Sequence, residues 1–532
     1  MIVAQFNYAI PSVLDSTRER DLVGLSADTA RPVRFLGRLR SNVLSVRFAL
    51  SALGGLIASE QEWSSDGEQL SASLDPIVSV TPDRIVWEGF SRDLGAIGVF
   101  EVPRSVFETR GEVREGTTNV DFSAWFAAAV NELRSSRETW LGIAPDGLEL
   151  RTVHAGGRYE PRVELPESWL RGLLSAQAAM AMPGTRLSVR PVDLLAAIRW
   201  LQFKRAKVSP RGLRWVMAPG EYARLILEPW ETEVRLKGAT HGYTETRTIR
   251  TWGRRQLRLI EPLLPLAESV TVYLKGRALP VFVVVELPGC RFTLGFGTAG
   301  LGGLDLLSSD VVSELGAEAP AIDEALVEQV LEALTRSECG AAELALRLGR
   351  PGGEVEGALQ RLVRLGRAAY DLGERRYRHR ELFYPPISPD RLTFRDPRLA
   401  TARFALSRGE VTEVNVEERE TRKTRRLPGP DGPVTRELVF RDHVINGRVG
   451  AHAVSVVLDA GGKLIFGTCG CDFFRTYTLG RGPCSDMLAL RGAAAPLLRD
   501  GPSSAPALAP PPDAHVTAGG AALDNGDEEE EE

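Results

Sequence analysis

The chain has 532 residues, with 65 Lys and Arg against 70 Asp and Glu, and a formal net charge of −5. This length predicts three or four domains, and because no run of eighteen apolar residues occurs we expect no membrane-spanning helix. Eight acidic side chains and no Lys or Arg lie in residues 513–532, so the rest of the chain is mildly basic and is compatible with nucleic acid as a partner. The first residues lack the charged region and cleavage site of a secretory signal, which predicts a cytoplasmic protein.

A phrase recurs through residues 41–305, after a lead-in segment over 1–40. It reads VTPDRIVW at 80–87, IAPDGLEL at 143–150 and VSPRGLRW at 208–215, and a fourth hairpin-like segment starts near 272. An amphipathic helical stretch precedes each copy and strands follow it; these stretches are 46–58, 122–134, 192–203 and 253–266. Internal periodicity of this kind predicts repeated helix-plus-strand units. The alternative is that the phrase is only a common hairpin sequence.

These four units resemble two sliding-clamp-type domains, each built from two half-repeats. The resemblance implies a surface that surrounds duplex DNA and contacts its phosphates. The predicted helices carry basic residues only in patches, so whether this region forms a ring is left open.

Residues 319–382 predict a winged helix-turn-helix. Apolar spacing marks helices over 322–336, 340–348 and 352–366, and two short strands at 368–370 and 376–378 form the wing. In a DNA-binding version, the third helix would read the groove and the wing would contact phosphate; the basic candidates are Arg361, Arg364, Arg375, Arg376 and Arg378. Glu354 and Glu356 near the start of the third helix disfavour tight DNA reading. A role in protein contacts therefore stays open.

A β-rich unit is expected over 392–495. Strands are predicted at 411–419, 438–449, 452–458 and 463–466, with a charged hairpin tip over 420–432. Four basic residues of the tip could contact phosphate or form a solvated loop; they are Arg422, Lys423, Arg425 and Arg426. The tail over 500–532 is rich in Ala, Pro and Gly and ends in five Glu, which predicts disorder.

Three of the five cysteines lie in LIFGTCGCDFFRTYTLGRGPCSDMLALR, residues 464–491. Cys469 and Cys471 are two positions apart, so on a strand their sulfurs share one face. Cys484 precedes a short predicted helix over 485–491, where the helix dipole favours a thiolate. The arrangement suggests a tetrahedral zinc site between a hairpin and a helix.

This stretch resembles the SWIM zinc finger over residues 436–492. The family pattern is Cys-x-Cys, a spacer, and then Cys-x-His before a short apolar helix. In this chain Asp486 stands in place of the final His. The resemblance implies zinc held by Cys469, Cys471, Cys484 and Asp486, with one negative charge more than the usual set. His443 or His452 is the alternative fourth ligand.

The sequence as a whole predicts an α+β multidomain protein with clamp-like repeats, a winged helix, a small zinc-finger domain and an acidic tail. We found no nucleophile elbow, phosphate-binding loop or zinc-protease helix, and we expect no enzymatic activity. SWIM fingers are generally regarded as DNA-binding or protein-interaction modules. The resemblance therefore implies a non-enzymatic protein that binds DNA or a DNA-associated partner, and the alternative is an assembly adaptor without nucleic-acid contact. The oligomeric state is left open.

Overall fold

The computed structural model describes most of the chain between residues 13 and 499. The described ranges are 13–16, 21–24, 33–58, 76–91, 95–119, 124–144, 147–152, 156–161, 165–204, 212–275, 280–297, 323–382, 397–429, 432–459, 464–479 and 483–499. The predicted tail over 500–532 lies outside them. Among the helices so described, none combines the length and the apolar character needed to cross a membrane.

Twenty-six strands are described. They are β1 Val13–Ser16, β2 Asp21–Gly24, β3 Phe35–Leu39, β4 Ile77–Val80, β5 Arg84–Phe90, β6 Ala96–Pro103, β7 Phe107–Thr109, β8 Gly116–Asn119, β9 Thr139–Ala144, β10 Gly147–Thr152, β11 Gly156–Pro161, β12 Leu165–Pro166, β13 Thr185–Val189, β14 Leu213–Met217, β15 Arg224–Leu227, β16 Thr232–Arg235, β17 Arg247–Thr251, β18 Ser269–Leu274, β19 Val281–Leu287, β20 Cys290–Phe296, β21 Ala368–Asp371, β22 Arg376–His379, β23 Val411–Gly429, β24 Gly432–Val449, β25 His452–Asp459 and β26 Leu464–Cys469.

The described helices complete the secondary structure. The α-helices are α1 Val43–Ile57, α2 Ala124–Asn131, α3 Glu167–Ala181, α4 Pro191–Phe203, α5 Glu324–Arg336, α6 Ala341–Leu348, α7 Gly352–Arg364, α8 Pro397–Ser407, α9 Asp472–Tyr477 and α10 Ser485–Arg499, and two 3₁₀ helices span Arg104–Val106 and Arg254–Leu266. This mixture of helices and sheets agrees with the predicted α+β class.

An eight-stranded antiparallel sheet organises the first half of the chain, in the order β13-β18-β19-β20-β6-β5-β4-β8. Its inner strand β19 is rich in valine, and alternate residues of that strand enter different cores. Val283 and Val285 lie in one buried cluster, whereas Phe282 and Val284 lie in another. Both faces of the sheet are therefore covered, which is why its strands read as continuous apolar runs.

Helices α1, α2 and α4 and the 3₁₀ helix over Arg254–Leu266 coincide with the four predicted helical stretches. The 3₁₀ helix packs against α1 and α4, and α1 also contacts α2. Pro262 and Pro265 lie inside the 3₁₀ helix, and proline removes the backbone donor that a regular α-helix needs. The alternation of helices with strands is confirmed, although their strands combine into shared sheets rather than four separate units.

The remaining sheets of this half are smaller. Strands β11-β10-β9-β3-β7 form a five-stranded sheet, β16-β15-β14-β17 a four-stranded sheet and β1-β2-β12 a three-stranded sheet. Residues 1–40 were predicted to be a lead-in segment. The structure corrects this for β3, because Phe35 is buried in the same core as Val283 and Val285. An apolar side chain this well packed makes residues 33–40 part of the folded body.

Residues 323–382, which we call the helical unit, contain α5, α6 and α7 followed by the hairpin β21–β22. These elements lie where the winged helix was predicted. Asp323 accepts a hydrogen bond from the backbone N–H of Ala325 and caps α5, whereas Gly349 ends α6 with a φ of 62°. The apolar faces of the helices join residues of the eight-stranded sheet in a common core.

Charged side chains are buried where the helical unit meets the sheet. Arg378 Nη1 donates to Glu101 Oε1 at 3.1 Å, and Arg291 Nη1 donates to Asp371 Oδ1 at 2.8 Å. Arg84 also forms an ion pair with Asp371. Burial raises the pKa of the Glu101 carboxyl, and the surrounding guanidinium groups oppose that shift. Buried ion pairs therefore hold the hairpin β21–β22 against the eight-stranded sheet.

Helix α3 supports the same interface. It packs against α7 and β21, and the Gln177 side chain donates to Glu88 Oε1 at 2.7 Å and accepts from the Tyr370 N–H at 2.9 Å. At its C-terminal end, the buried Lys275 ammonium donates to the Met180 carbonyl oxygen at 2.7 Å. An amine donor at this end of a helix satisfies free carbonyl groups, although burial lowers the pKa of Lys275 to about 7.

The C-terminal unit, residues 397–499, contains a four-stranded sheet in the order β23-β24-β25-β26, with α8 and α10 packed together. Two glycines allow α10 to approach the sheet. A Cβ atom at Gly447 would lie 2.5 Å from Leu490 Cδ1, and one at Gly467 would lie 3.1 Å from Met487 Cε. This close approach sets the start of α10 beside the end of β26.

We predict that Arg380→Met destabilises the protein by about 3–5 kcal/mol, because it leaves Glu88 buried without its ionic partner. The shift of the urea unfolding midpoint, followed by circular dichroism, measures the loss. The matched control is Arg336→Met, which removes an exposed ion pair with Glu332 and is expected to cost less than about 1 kcal/mol. Replacing Glu88 and Arg380 together by Met should recover most of the loss. Equal shifts for the two single variants would contradict this account of the interface.

Candidate metal centre

The predicted ligands lie on three consecutive elements of the C-terminal unit. Cys469 ends β26, Cys471 immediately precedes α9, and Cys484 immediately precedes α10, whose first turn contains Asp486. Strand β26 pairs with β25 in a register that sets Cys469 opposite Val454. The pairing of β25 with β26 and the packing of α10 bring the three cysteines and Asp486 together.

The four residues converge as predicted. One ligand atom from each of Cys469, Cys471, Cys484 and Asp486 lies within 4.8 Å of every other. Cys484 is buried, and the other three are half-buried. Mutual distances of this size are compatible with four ligands around one metal ion, since tetrahedral zinc has sulfur and oxygen ligands at roughly 2.0–2.3 Å.

Hydrogen bonds orient the donor atoms within the cluster. Cys469 Sγ donates to Asp486 Oδ2 at 3.3 Å and accepts from the Cys471 N–H at 3.4 Å. Cys471 Sγ accepts from the Phe474 N–H at 3.4 Å, so this side chain caps the N-terminus of α9. Backbone donors thus already point at the sulfurs of Cys469 and Cys471.

Two effects act on the thiols in opposite directions. Burial raises the pKa of Cys484 to about 11 and raises that of Cys469 further, although backbone N–H groups lower both in part. Thiols with raised pKa values hold their protons at neutral pH, and a divalent cation replaces those protons when it binds. Metal binding at these residues would therefore be coupled to proton release.

The two histidines considered as alternative ligands occupy different places. His452 begins β25, and its Nδ1 lies 2.8 Å from Asp486 Oδ2. His443 lies in β24 opposite Glu418 and Leu458. Neither belongs to the group of converging ligand atoms that the described residues form. The contact between His452 and Asp486 was not predicted; only the strand register, which sets the start of β25 beside the end of β26, could have indicated it.

The other two cysteines are buried away from the cluster. Cys290 and Cys339 have exposed fractions of 5% and 0%, and they belong to two different cores. Burial raises the pKa of both thiols. They are therefore packing residues, separate from the cluster.

The predicted nucleic-acid residues of the helical unit lie in several environments. Arg378 is buried against Glu101, which leaves little of its guanidinium exposed for the predicted contact with phosphate. Arg376 is exposed, but it donates to the Glu338 carbonyl oxygen at 2.9 Å and lies 3.4 Å from Glu343. The hairpin binds the sheet instead of projecting into solvent.

The predicted reading helix α7 is also engaged within the chain. It packs against α3, α5 and α6. Arg361 forms an ion pair with Glu324, and Arg364 is half-buried, with its pKa lowered by burial. Arg375 adopts a φ of 56° in the exposed hairpin turn. The five basic residues of this unit therefore do not form one exposed surface.

The predicted hairpin tip over 420–432 is corrected to a continuous ladder. Strands β23 and β24 pair from Val411↔Val449 to Gly429↔Gly432, with a bulge between Thr412 and Asn415. Because β25 pairs with β24 only from residue 442 onward, about ten residues of each strand extend as a two-stranded ribbon, roughly 34 Å long at about 3.4 Å per residue. We call residues 420–441 the ribbon.

The four basic residues predicted for the tip lie on the first strand of the ribbon. Arg422 is exposed, and its Nε donates to Glu420 Oε1 at 2.8 Å. The side chains of Lys423, Arg425 and Arg426 lie outside the described part of the structure. The backbone register sets Arg425 opposite Arg436, which adds a basic position on the second strand.

No known protein-family profile matches the chain, and no curated protein sequence matches it. Among solved structures, the chain is similar to proliferating cellular nuclear antigen from Entamoeba histolytica, at 10% identity and a TM-score of 0.35. The similarity covers 49% of this chain and 98% of that protein. It is a weak likeness to a sliding clamp and does not establish a shared function.

We predict that Cys484→Ser lowers the metal content of the purified protein, because it removes the most deeply buried of the four donors. Elemental analysis by mass spectrometry measures the metal-to-protein ratio. Cys339→Ala is the matched control, since Cys339 is buried in a different core and should leave the ratio unchanged. Equal metal content in wild type and Cys484→Ser would contradict the site.

Proposed function

We propose that this chain is a non-enzymatic, zinc-stabilised protein that associates with DNA. The observation that carries the proposal is the convergence of three cysteine sulfurs and one carboxylate within 4.8 Å. Thiolate ligands favour zinc over magnesium or calcium, and four protein ligands leave no open position for a substrate. The metal would therefore be structural, and it would join β26, α9 and α10.

We propose that the protein works in a reducing compartment, the cytoplasm, where thiols persist as metal ligands. In such a compartment a Cys-x-Cys pair serves metal binding better than disulfide formation. The resemblance of residues 436–492 to SWIM fingers supports the same function, with Asp486 in place of the final His.

The ribbon is the proposed DNA contact. The major groove of B-DNA admits a two-stranded β-ribbon, and Lys and Arg near phosphates provide affinity by releasing counterions. The ribbon carries six basic positions, Arg422, Lys423, Arg425, Arg426, Arg436 and Arg441, against three acidic ones, Glu420, Asp431 and Glu437. Arg378 of the helical unit is a poorer choice, because it is buried against Glu101.

A second candidate function is that of an assembly adaptor. The observation that favours it is the way in which the helical unit uses its hairpin to bind a protein surface, with Asp371 and Arg378 both buried there. Such a unit would present other faces to partner proteins, and direct contact with nucleic acid would then be unnecessary.

We predict that the protein binds duplex DNA with an affinity that falls steeply with salt. The double variant Arg425→Glu/Arg426→Glu should weaken binding at least about tenfold and reduce the slope of log affinity against log salt by about two. Fluorescence anisotropy with a labelled duplex measures both quantities.

The control Arg336→Glu/Arg347→Glu makes the same change of net charge on exposed residues of α5 and α6, and it should leave affinity nearly unchanged. Equal losses in the two double variants would overturn the ribbon assignment. Undetectable binding of the wild type at low salt, together with co-purification of a partner protein, would favour the adaptor.

A further inference from the structure

His452 lies beside the proposed metal ligands without being one of them. Its Nδ1 is 2.8 Å from Asp486 Oδ2, which also accepts the hydrogen bond from Cys469 Sγ at 3.3 Å. The second oxygen, Oδ1, lies 3.3 Å from Ser485 Oγ. Both carboxylate oxygens therefore have partners before any metal is bound.

The position of His452 follows from the register of the sheet. The turn between β24 and β25 sets His452 opposite Val449, and β25 carries Val454 opposite Cys469 two residues later. The imidazole also lies beside the backbone between the two cysteines, since a Cβ atom at Gly470 would lie 3.6 Å from His452 Cδ2. The ring thus lies between the Cys-x-Cys segment and the first turn of α10.

An aspartate at position 486 depends on an orienting hydrogen bond more than a histidine at that position would. A carboxylate has two equivalent oxygens and can turn about its own bond, so a single fixed donor on one oxygen selects one orientation. Metal ligands are commonly oriented in this way by an outer hydrogen bond, and loss of that bond typically weakens metal affinity 10–100-fold. A donor imidazole also offsets part of the extra negative charge that three thiolates and a carboxylate would carry.

We propose that His452 is a positioning residue for the metal centre: its Nδ1–H holds the Asp486 carboxylate toward the three cysteines and allows aspartate to act as the fourth ligand. The inference rests on the proposed zinc function. In the alternative, His452 itself would bind the metal. The geometry favours the positioning role, because His452 Nδ1 is directed at Asp486 Oδ2.

We predict that His452→Ala weakens zinc affinity about 10–100-fold, measured by competition with a chromophoric chelator. His452→Asn should restore most of the affinity, because its amide nitrogen occupies nearly the place of Nδ1 and donates a hydrogen bond. His443→Ala is the matched control in the same sheet and should have no effect. In a background of Asp486→His, the change His452→Ala should have little effect, since the carboxylate that it orients is gone.

Cobalt(II) substitution separates the outcomes. The sulfur-to-cobalt charge-transfer band and the ligand-field spectrum should be the same in wild type and His452→Ala, because the ligand set is unchanged and only affinity falls. A changed ligand-field spectrum in His452→Ala would show that the imidazole is a ligand and would overturn the positioning role. Unchanged zinc affinity in His452→Ala would also overturn it. Failure of the wild type to bind zinc or cobalt would instead refute the proposed metal function itself.

Discussion

Three cysteine sulfurs and one carboxylate converge within 4.8 Å in the C-terminal unit, and the rest of that unit is arranged around this convergence. Polar donors gathered in a partly buried place are costly to desolvate unless protons or a cation stabilise them. Burial favours the protonated thiols, whereas the N-termini of α9 and α10 favour thiolates. A divalent metal would satisfy all four donors together, and its binding free energy would then contribute to the stability of the unit.

A second set of buried charges holds the first half of the molecule together. Glu88 and Glu101 on the eight-stranded sheet pair with Arg380 and Arg378 from the helical unit. Pairs of this kind add little net stability, but breaking one leaves an unpaired charge in the interior, so they strongly favour one docking arrangement. The same contacts remove the hairpin from solvent, which moves the proposed DNA contact to the ribbon.

The sequence predicted the local features well. The candidate metal ligands were recognisable because Cys469, Cys471, Cys484 and Asp486 lie within eighteen residues, and helix starts and strand alternation set their directions. Helices α5 and α7 were recognisable because their apolar residues repeat at helical spacing.

Long-range features were missed because no local pattern encodes them. Arg378 and Glu101 are 277 positions apart, and the pairing that buries both depends on the docking of two units. Residues 420–432 of the ribbon were predicted as a charged hairpin tip because charged residues and threonines replace the apolar alternation that marks a half-buried strand. His452 was weighed as a ligand, and only the strand register reveals its contact with Asp486.

Cys469, Cys471, Cys484 and Asp486 are proposed to hold one structural zinc ion. X-ray absorption at the zinc edge of the purified, metal-loaded protein tests it most directly. We expect three sulfur scatterers at about 2.3 Å from zinc and one oxygen at about 2.0–2.2 Å. The outer-shell scattering of a coordinated imidazole should be absent. A zinc shell of nitrogen and oxygen alone, or clear imidazole scattering, would contradict it.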